Sequence, residues 1–337
     1  MIHVAINGFG RIGRNLFKAG LEMEDLNFVA INDLTDTKTL AYLLEHDTAY
    51  GQYTKYQIDY DEQHLIVGDR KIPVFSKKDP AGLPWKEYKV DIVAECTGVF
   101  LTEESASAHL EAGAKGVVLS APAKTESIPT YLLGVNEDEI TGKETIISNA
   151  SCTTNCISPV MNIIHRELKV KRTFMTTIHA YTAKQALQDM PNKDPRRGRA
   201  ACVNMIPTTT GAAKATCRVI PELKGFFDGI AIRVPVLVGS LADFTLLTDR
   251  KTSVEEVNAL FIKMAEQEPY KGIVGVTDKP LVSSDFVGSS FSAIVDLSFT
   301  RVIEGDFIKL LAWYDNEWAY SMRLAKMIHV YANKIIK

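Results

Sequence analysis

The sequence predicts an α/β protein: a doubly wound, mostly parallel sheet followed in the chain by a second, α+β domain. Three observations predict it. A glycine-rich turn joins an apolar run to a helical pattern at the start of the chain, and short apolar runs then alternate with helical patterns up to residue 151. The length of 337 residues exceeds what one hydrophobic core usually organises, so two domains are expected.

Composition sets the outer limits. Hydrophobic residues at 46% and charged residues at 23% describe a globular chain with a real core. A formal net charge of −3 supplies no general attraction to nucleic acid or an anionic membrane, so neither is expected as the primary partner. The opening "MIHVAINGFGRIG" lacks the basic-then-apolar pattern of a secretory signal, and no apolar run is as long as a membrane-spanning helix. Five cysteines (Cys96, Cys152, Cys156, Cys202, Cys217) form no disulfide framework, which fits a reducing, cytoplasmic setting.

In chain order, "HVAIN" reads as a strand, "GFGRIG" as a tight turn and "RNLFKAGLEM" as a helix. Gly8, Gly10 and Gly13 match GxGxxG, and the next apolar run, "NFVAIND", ends in Asp33, twenty residues after Gly13. Each residue type answers a physical demand. The first glycine allows the turn, the second lets the backbone approach a pyrophosphate, and the third lets helix and strand pack closely. Amides at the helix start face the anion. Asp33 would accept hydrogen bonds from the adenosine ribose and repel a 2′-phosphate, so the Rossmann-type reading favours NAD over NADP. A methyltransferase competes on this half alone. The strands "VDIVAECTGVF", "KGVVLSAPA" and "ETIISNAS" continue the pattern around the helix "EESASAHLEAGA". Asp33, Thr97, Ser120 and Ser151 then fall at strand carboxyl ends, where such sheets bind ligands.

The stretch "NASCTTNC" follows a strand and precedes the helical pattern "CISPVMNIIHREL", which places Cys152 near a helix amino terminus. Unpaired amides and the helix dipole there favour a thiolate, so a depressed thiol pKa and a nucleophilic role are expected. Pro159 within the first turns predicts a local adjustment. Zinc is disfavoured because no second cysteine or histidine pair stands at ligand spacing, and no metal is expected. A Cys152–Cys156 disulfide and an inert buried thiol are the other readings; Cys156, one turn deeper, fits the last.

A nucleophile needs a base. "TFMTTIHAYT" ends a β-branched run at His179, a strand position at the sheet edge, although a histidine satisfied in the core or at the surface is the commoner reading of the pattern alone. "IPTTTGAAKA" sets three threonines and a glycine before a helix, as an oxyanion cradle or simply a helix cap. Arg233 lies in the apolar "AIRVPV" and wants an anionic partner, either a ligand or an internal acid. "NKDPRRGRAA" reads as a basic loop from which Arg197 can reach an anion. Asn316, at the turn in "AWYDNEWAYS", is placed to cap the following helix or meet a ligand.

Together "INGFGRIGR", "SNASCTTNC", "TIHAYT", "IPTTTGAAKA" and "WYDNEWAYS" resemble phosphorylating glyceraldehyde-3-phosphate dehydrogenases, in the same order and over essentially the whole chain. The resemblance implies an NAD-binding domain over 1–151, completed by a carboxyl-terminal helix at about 317–337, and a catalytic domain over 152–316. It implies Cys152 as nucleophile, His179 as base, glyceraldehyde 3-phosphate and inorganic phosphate as substrates, and a thioester route. Thr182 and Arg233 match the family's site for the substrate's own phosphate; Ser151, Thr153, Thr210, Gly211 and Arg197 match contacts to the attacking phosphate and neighbouring anions. Asn7, Gly8, Gly10, Arg11 and Ile12 match its pyrophosphate loop, Asp33 its ribose contact, and Lys78, Thr97 and Ser120 its adenosine side. Asn316 matches the residue that meets the nicotinamide amide, and Leu34 and Pro191 resemble NAD-preferring members.

A homotetramer is implied, with the loop around Ala183 and Lys184 between subunits. Ala183 and Lys184 themselves, and "VPVLVGSLADF", depart from the commonest family forms. Erythrose-4-phosphate dehydrogenase, the nearest alternative, typically lacks the intact "TTTGAA" segment. A binding role, toward RNA or a cell-surface partner, is the alternative from another class.

Overall fold

The computed structural model describes residues 1–336. It divides into two units: residues 1–131, 136–150 and 321–336, and residues 132–135 with 151–320.

The first unit is organised by an eight-stranded sheet. Its strand order is Ile146–Ser148, Gly116–Leu119, Ile92–Glu95, Ile2–Asn7, Leu26–Asn32, Arg70–Phe75, His64–Val67, Ile58–Tyr60. The first six run parallel and the last two are antiparallel additions. Ile2–Asn7 lies between Leu26–Asn32 and Ile92–Glu95, so the connections leave it in opposite directions. That reversal is where a doubly wound sheet opens a ligand crevice beyond the strand carboxyl ends. The central strands are buried throughout or nearly so (Val4, Ala5, Ile6, Val93, Ala94, Val117, Val118), as near-continuous apolar runs require. The helix Glu103–Glu111 starts at Thr102 with a reciprocal Thr102–Ser105 capping box. The described part of the carboxyl-terminal helix belongs to this unit from Ser321, and Tyr331 Oη donates to the Glu144 carbonyl at 2.6 Å.

The second unit carries a mixed sheet ordered Ile206–Thr209, Phe227–Val234, Val170–Ala180, Ser240–Thr248, Phe307–Tyr314, Ala293–Asp296, Val274–Thr277, with Arg301–Ile303 paired beside Phe307–Tyr314. Val170–Ala180 runs parallel to Phe227–Val234 and antiparallel to Ser240–Thr248. The helix Cys152–Leu168 is mostly buried and continues through Pro159, where the sequence predicts an adjustment. The missing N–H costs a helix about 3 kcal/mol in isolation. Burial of Ile157, Val160, Met161, Ile163 and Ile164 offsets that loss.

No described helix is long and apolar enough to cross a membrane.

Candidate active site

In the first unit the predicted residues gather at the sheet's carboxyl edge. Gly8 follows the first strand with φ +93°, which L side chains rarely adopt. A Cβ on Gly13 would stand 2.2 Å from the Gly8 carbonyl oxygen, so only glycine lets this helix approach the turn. A Cβ on Gly10 would meet nothing within 4 Å. The helix Arg11–Gly20 therefore begins beneath open space, and its N-cap Gly10 makes no side-chain cap bond. The amides of a helix start without a side-chain cap suit an anion such as a pyrophosphate.

Asp33 is half-buried at the rim. Its Oδ2 accepts the Phe9 N–H at 2.7 Å and its Oδ1 the Thr35 N–H at 3.0 Å, which pins the carboxylate beside the glycine turn. Arg11 turns its guanidinium to Asp47 at 2.7 Å, and Ile12, next in the helix, is half-buried. Lys78 and Thr97 are exposed; Ser120 is half-buried, its N–H donating to the Glu95 carbonyl at 2.9 Å. The Asn7 side chain is buried and committed to protein partners, donating to Glu95 at 2.5 Å and accepting from Asn32 at 2.7 Å.

In the second unit, residues far apart in sequence converge. Ser151 caps the long helix, Oγ accepting the Thr154 N–H at 3.2 Å, and Cys152 is the first helical residue. The Cys152 Sγ lies 3.4 Å from His179 Nε2. His179 Nδ1 is 2.7 Å from the carbonyl oxygen of Ala180. That carbonyl only accepts and so favours a proton on Nδ1, whereas the donor-only Arg233 Nη1 beside the same nitrogen favours a lone pair there; the two contacts call for opposite tautomers. Sheet register sets Arg233 directly opposite His179 on the neighbouring strand. Its Nη1 contacts His179 Nδ1 and donates to the Ala180 carbonyl at 3.1 Å.

The electrostatics correct one expectation. Burial pushes the Cys152 thiol up, and the Arg233 guanidinium, followed by groups of Thr153, pulls it only part of the way back. Burial, then Arg233, pushes His179 down to about 3. Both shifts favour the neutral pair, thiol and imidazole, over the thiolate that the helix terminus alone suggests. Helix-end stabilisation of about 0.3–2 kcal/mol is smaller than the cost of taking a thiolate out of water. Burial also holds Cys156 well above the ordinary thiol range.

The remaining candidates of this unit have the following partners. Thr153 Oγ1 lies 3.0 Å from the Tyr314 hydroxyl. Thr182 is half-buried, its N–H donating to Gln185 at 3.3 Å. Thr210 Oγ1 accepts the Ala212 N–H at 3.2 Å, and Gly211 is exposed at the N-cap of Ala212–Val219. Arg197 is held by Thr208 Oγ1 at 2.6 Å and by Asp194 at 3.3 Å. Asn316 does not cap the last helix. Asp315 does so, accepting the Glu317 and Trp318 N–H groups at 2.8 Å each. Asn316 Oδ1 instead accepts from Ser240 Oγ at 2.8 Å and Gly239 N at 3.2 Å, and Ser240 Oγ accepts the Ala180 N–H at 3.1 Å. One chain of bonds thus links Asn316 to the strand end that carries His179.

Two residues escape sequence reasoning. Tyr314, fully buried, bridges Thr153 and Thr177 (2.8 Å) and meets the edge of the His179 ring. Inside "LLAWY" it looks like any core aromatic. Glu95 is the other: an acid closing an apolar strand, the same signal that marks Asp33, but wholly buried. Among the described residues no group of three or more His, Cys, Asp or Glu side chains is arranged to hold a metal.

Comparison with known proteins bears on both units. Residues 2–103 match the family model for the glyceraldehyde 3-phosphate dehydrogenase NAD binding domain, and residues 151–316 match that for its C-terminal domain. The chain is 50% identical to the glyceraldehyde-3-phosphate dehydrogenase of Thermotoga maritima, covering 98% of this chain and 99% of that one. It is 49% identical to glyceraldehyde-3-phosphate dehydrogenase 2 of Streptomyces avermitilis and 47% identical to the enzyme of Geobacillus stearothermophilus, each over 99% of both chains.

Proposed function

The chain belongs to the glyceraldehyde-3-phosphate dehydrogenase family, and from that premise we propose that it oxidises D-glyceraldehyde 3-phosphate reversibly to 1,3-bisphosphoglycerate, with NAD and inorganic phosphate. The observation that carries this reading is Cys152 Sγ at 3.4 Å from His179 Nε2, with Arg233 alongside. We assign the NAD-binding domain to 1–151 with the carboxyl-terminal helix, and the catalytic domain to 152–316.

NAD is the cofactor, and when bound it supplies the hydride acceptor. The glycine turn and the helix start hold its pyrophosphate, and Asp33 accepts from its ribose hydroxyls. Thr97, Lys78 and Ser120 line the adenosine side. Asn316, its Oδ1 anchored by Ser240, is the residue whose amide N–H groups would meet the nicotinamide.

Cys152 Sγ bonds to the aldehyde carbon as its proton passes to His179 Nε2 and on to the new alkoxide, leaving a hemithioacetal. His179 then takes the hemithioacetal hydroxyl proton, which matches a base kept neutral at working pH. Cys152 is left holding the acyl group as a thioester. An oxygen of inorganic phosphate attacks the acyl carbon, the C–S bond breaks, and the acyl phosphate leaves. Thr182 and Arg233 hold the substrate's phosphate; Ser151, Thr153, Thr210, Gly211 and Arg197 hold the attacking one and its surroundings. The substrate's phosphate draws Arg233 off the imidazole, which eases proton uptake by His179 as substrate binds. The working form is a homotetramer in the cytoplasm.

The test is NADH formation from the triose phosphate and NAD, with and without inorganic phosphate, beside erythrose 4-phosphate and NADP. Rapid, phosphate-dependent NADH formation with the triose is expected. Turnover of the four-carbon aldehyde alone would make the erythrose-4-phosphate enzyme the better reading. Turnover of neither, by folded and reduced protein, would favour a binding role.

A further inference from the structure

We propose that Glu95 is a positioning residue for the cofactor: its buried carboxylate ties together Thr97, Asn7 and His109, and so holds the glycine turn and strand-end rim in the shape that NAD binds. The proposal rests on the reading of the first unit as the NAD site.

Glu95 and His109 are 0% exposed and Asn7 is 1% exposed. A carboxyl group taken this far from water is costly unless donors surround it. Here they do. Oε1 accepts the Thr97 N–H at 2.7 Å and the Thr97 hydroxyl; Oε2 accepts from Asn7 Nδ2 at 2.5 Å. Trp85 Nε1, donor only, donates to His109 Nδ1 at 3.0 Å, so His109 Nε2 carries the proton and donates to Oε2 at 3.2 Å. Every one of these neighbours is a donor, which suits an acceptor-only carboxylate and nothing else of that size.

The network runs on across the sheet edge. Asn7 Oδ1 accepts from Asn32 Nδ2 at 2.7 Å, and Asn32 forms a reciprocal pair with the Lys77 backbone, 2.9 Å to the N–H and 3.0 Å to the carbonyl. Polar bonds therefore join four neighbouring strand ends, from Thr97 to the residue before Lys78. The glycine turn leans on the same brace: a Cβ at Gly8 would meet the Thr97 amide nitrogen at 2.8 Å and the Cys96 carbonyl carbon at 2.9 Å. A shift of Thr97 is thus a shift of the surface against which Gly8 packs. An apolar residue at 95 would fill the core at lower cost; the carboxylate is explained by what it positions.

The variant is Glu95→Gln, which keeps the shape but turns one acceptor into a donor facing donors. NAD affinity is read by calorimetry on the substrate-free protein, beside thermal unfolding and the rate of Cys152 alkylation without NAD. The expected result is a Kd for NAD weakened roughly 10- to 100-fold, with the alkylation rate unchanged. An unchanged Kd in folded Glu95→Gln, whatever its melting temperature, would overturn the proposal and leave Glu95 a core residue only. If Glu95→Gln does not fold, His109→Phe and His109→Gln decide it, since His109 donates to Glu95 and is not itself assigned to the cofactor: a several-fold weaker Kd in the first, restored in the second, supports the brace, and wild-type affinity in folded His109→Phe overturns it. Wild-type protein that fails to bind NAD would instead refute the underlying assignment of the NAD site.

Discussion

The two units make their sites in opposite ways. The first uses backbone: a turn, a helix start and strand ends, drawn largely from residues 7–33. The second uses side chains, Cys152, His179, Arg233 and Tyr314, carried on one helix and three strands spread over more than 160 residues, since Thr153 and Tyr314 in contact are 161 apart. A backbone site tolerates most side-chain changes but no added Cβ where chain packs on chain. A side-chain site tolerates backbone detail but depends on register and burial. Substitutions should therefore separate cofactor binding from thiol chemistry.

The largest separation is expected from Cys152→Ser. Turnover should fall by about 10³-fold or more, because a serine hydroxyl is a far poorer nucleophile beside a neutral imidazole. NAD affinity by calorimetry should stay within about threefold. A parallel loss of affinity would break the comparison.

Gly13→Ala is the converse. Its Cβ, 2.2 Å from the Gly8 oxygen, must push helix and turn apart, a strain of about 1–3 kcal/mol. NAD should bind roughly 10- to 100-fold more weakly, while iodoacetamide alkylates Cys152 in NAD-free protein at the wild-type rate.

Arg233→Gln sharpens the picture inside the second unit. The KM for the triose phosphate should rise about tenfold or more as a charge-assisted contact is lost. Removing the cation that lowers the Cys152 pKa should also move the midpoint of its alkylation pH profile upward from the wild-type value. A downward shift would reverse the assigned sign.

His179 gives a stability signature. Its pKa in the fold, about 3, lies below the ordinary value near 6.5, so between those values the unfolded chain binds more protons. Stability should then fall as pH drops from about 6.5 towards 3, and His179→Gln should flatten that acid limb in urea titrations. Tyr314→Phe should be mildest: loss of the bonds to Thr153 and Thr177 costs about 1–3 kcal/mol of stability and a few-fold in turnover, with NAD affinity unchanged.

The same contrast governs what the sequence discloses. The glycine turn and Asp33 can be read from spacing because a backbone site is local, and its steric demands leave single permitted residue types. His179 and Arg233 can each be noticed as polar residues in apolar runs. Their meeting depends on the register of two strands that are 54 positions apart, which no local pattern reports. Tyr314 is hidden because a buried aromatic has the same pattern whether its hydroxyl serves the core or the site. Thiol electrostatics are hidden for a related reason: the helix terminus is visible in the pattern, whereas the burial that outweighs it is a property of the fold. At 315–316 the pattern leaves both a cap and a ligand contact open to Asn316, since Asp and Asn both suit a cap and only the bonds to Ser240 and Gly239 divide their tasks.

The most direct test of the account is to trap the acyl group. The protein is mixed with NAD and D-glyceraldehyde 3-phosphate without inorganic phosphate, quenched in acid and mapped by mass spectrometry. The account predicts a phosphoglyceroyl adduct on Cys152 alone, which disappears when inorganic phosphate is added before the quench. An NADH burst with no adduct on Cys152, or an adduct centred on another cysteine, would contradict it.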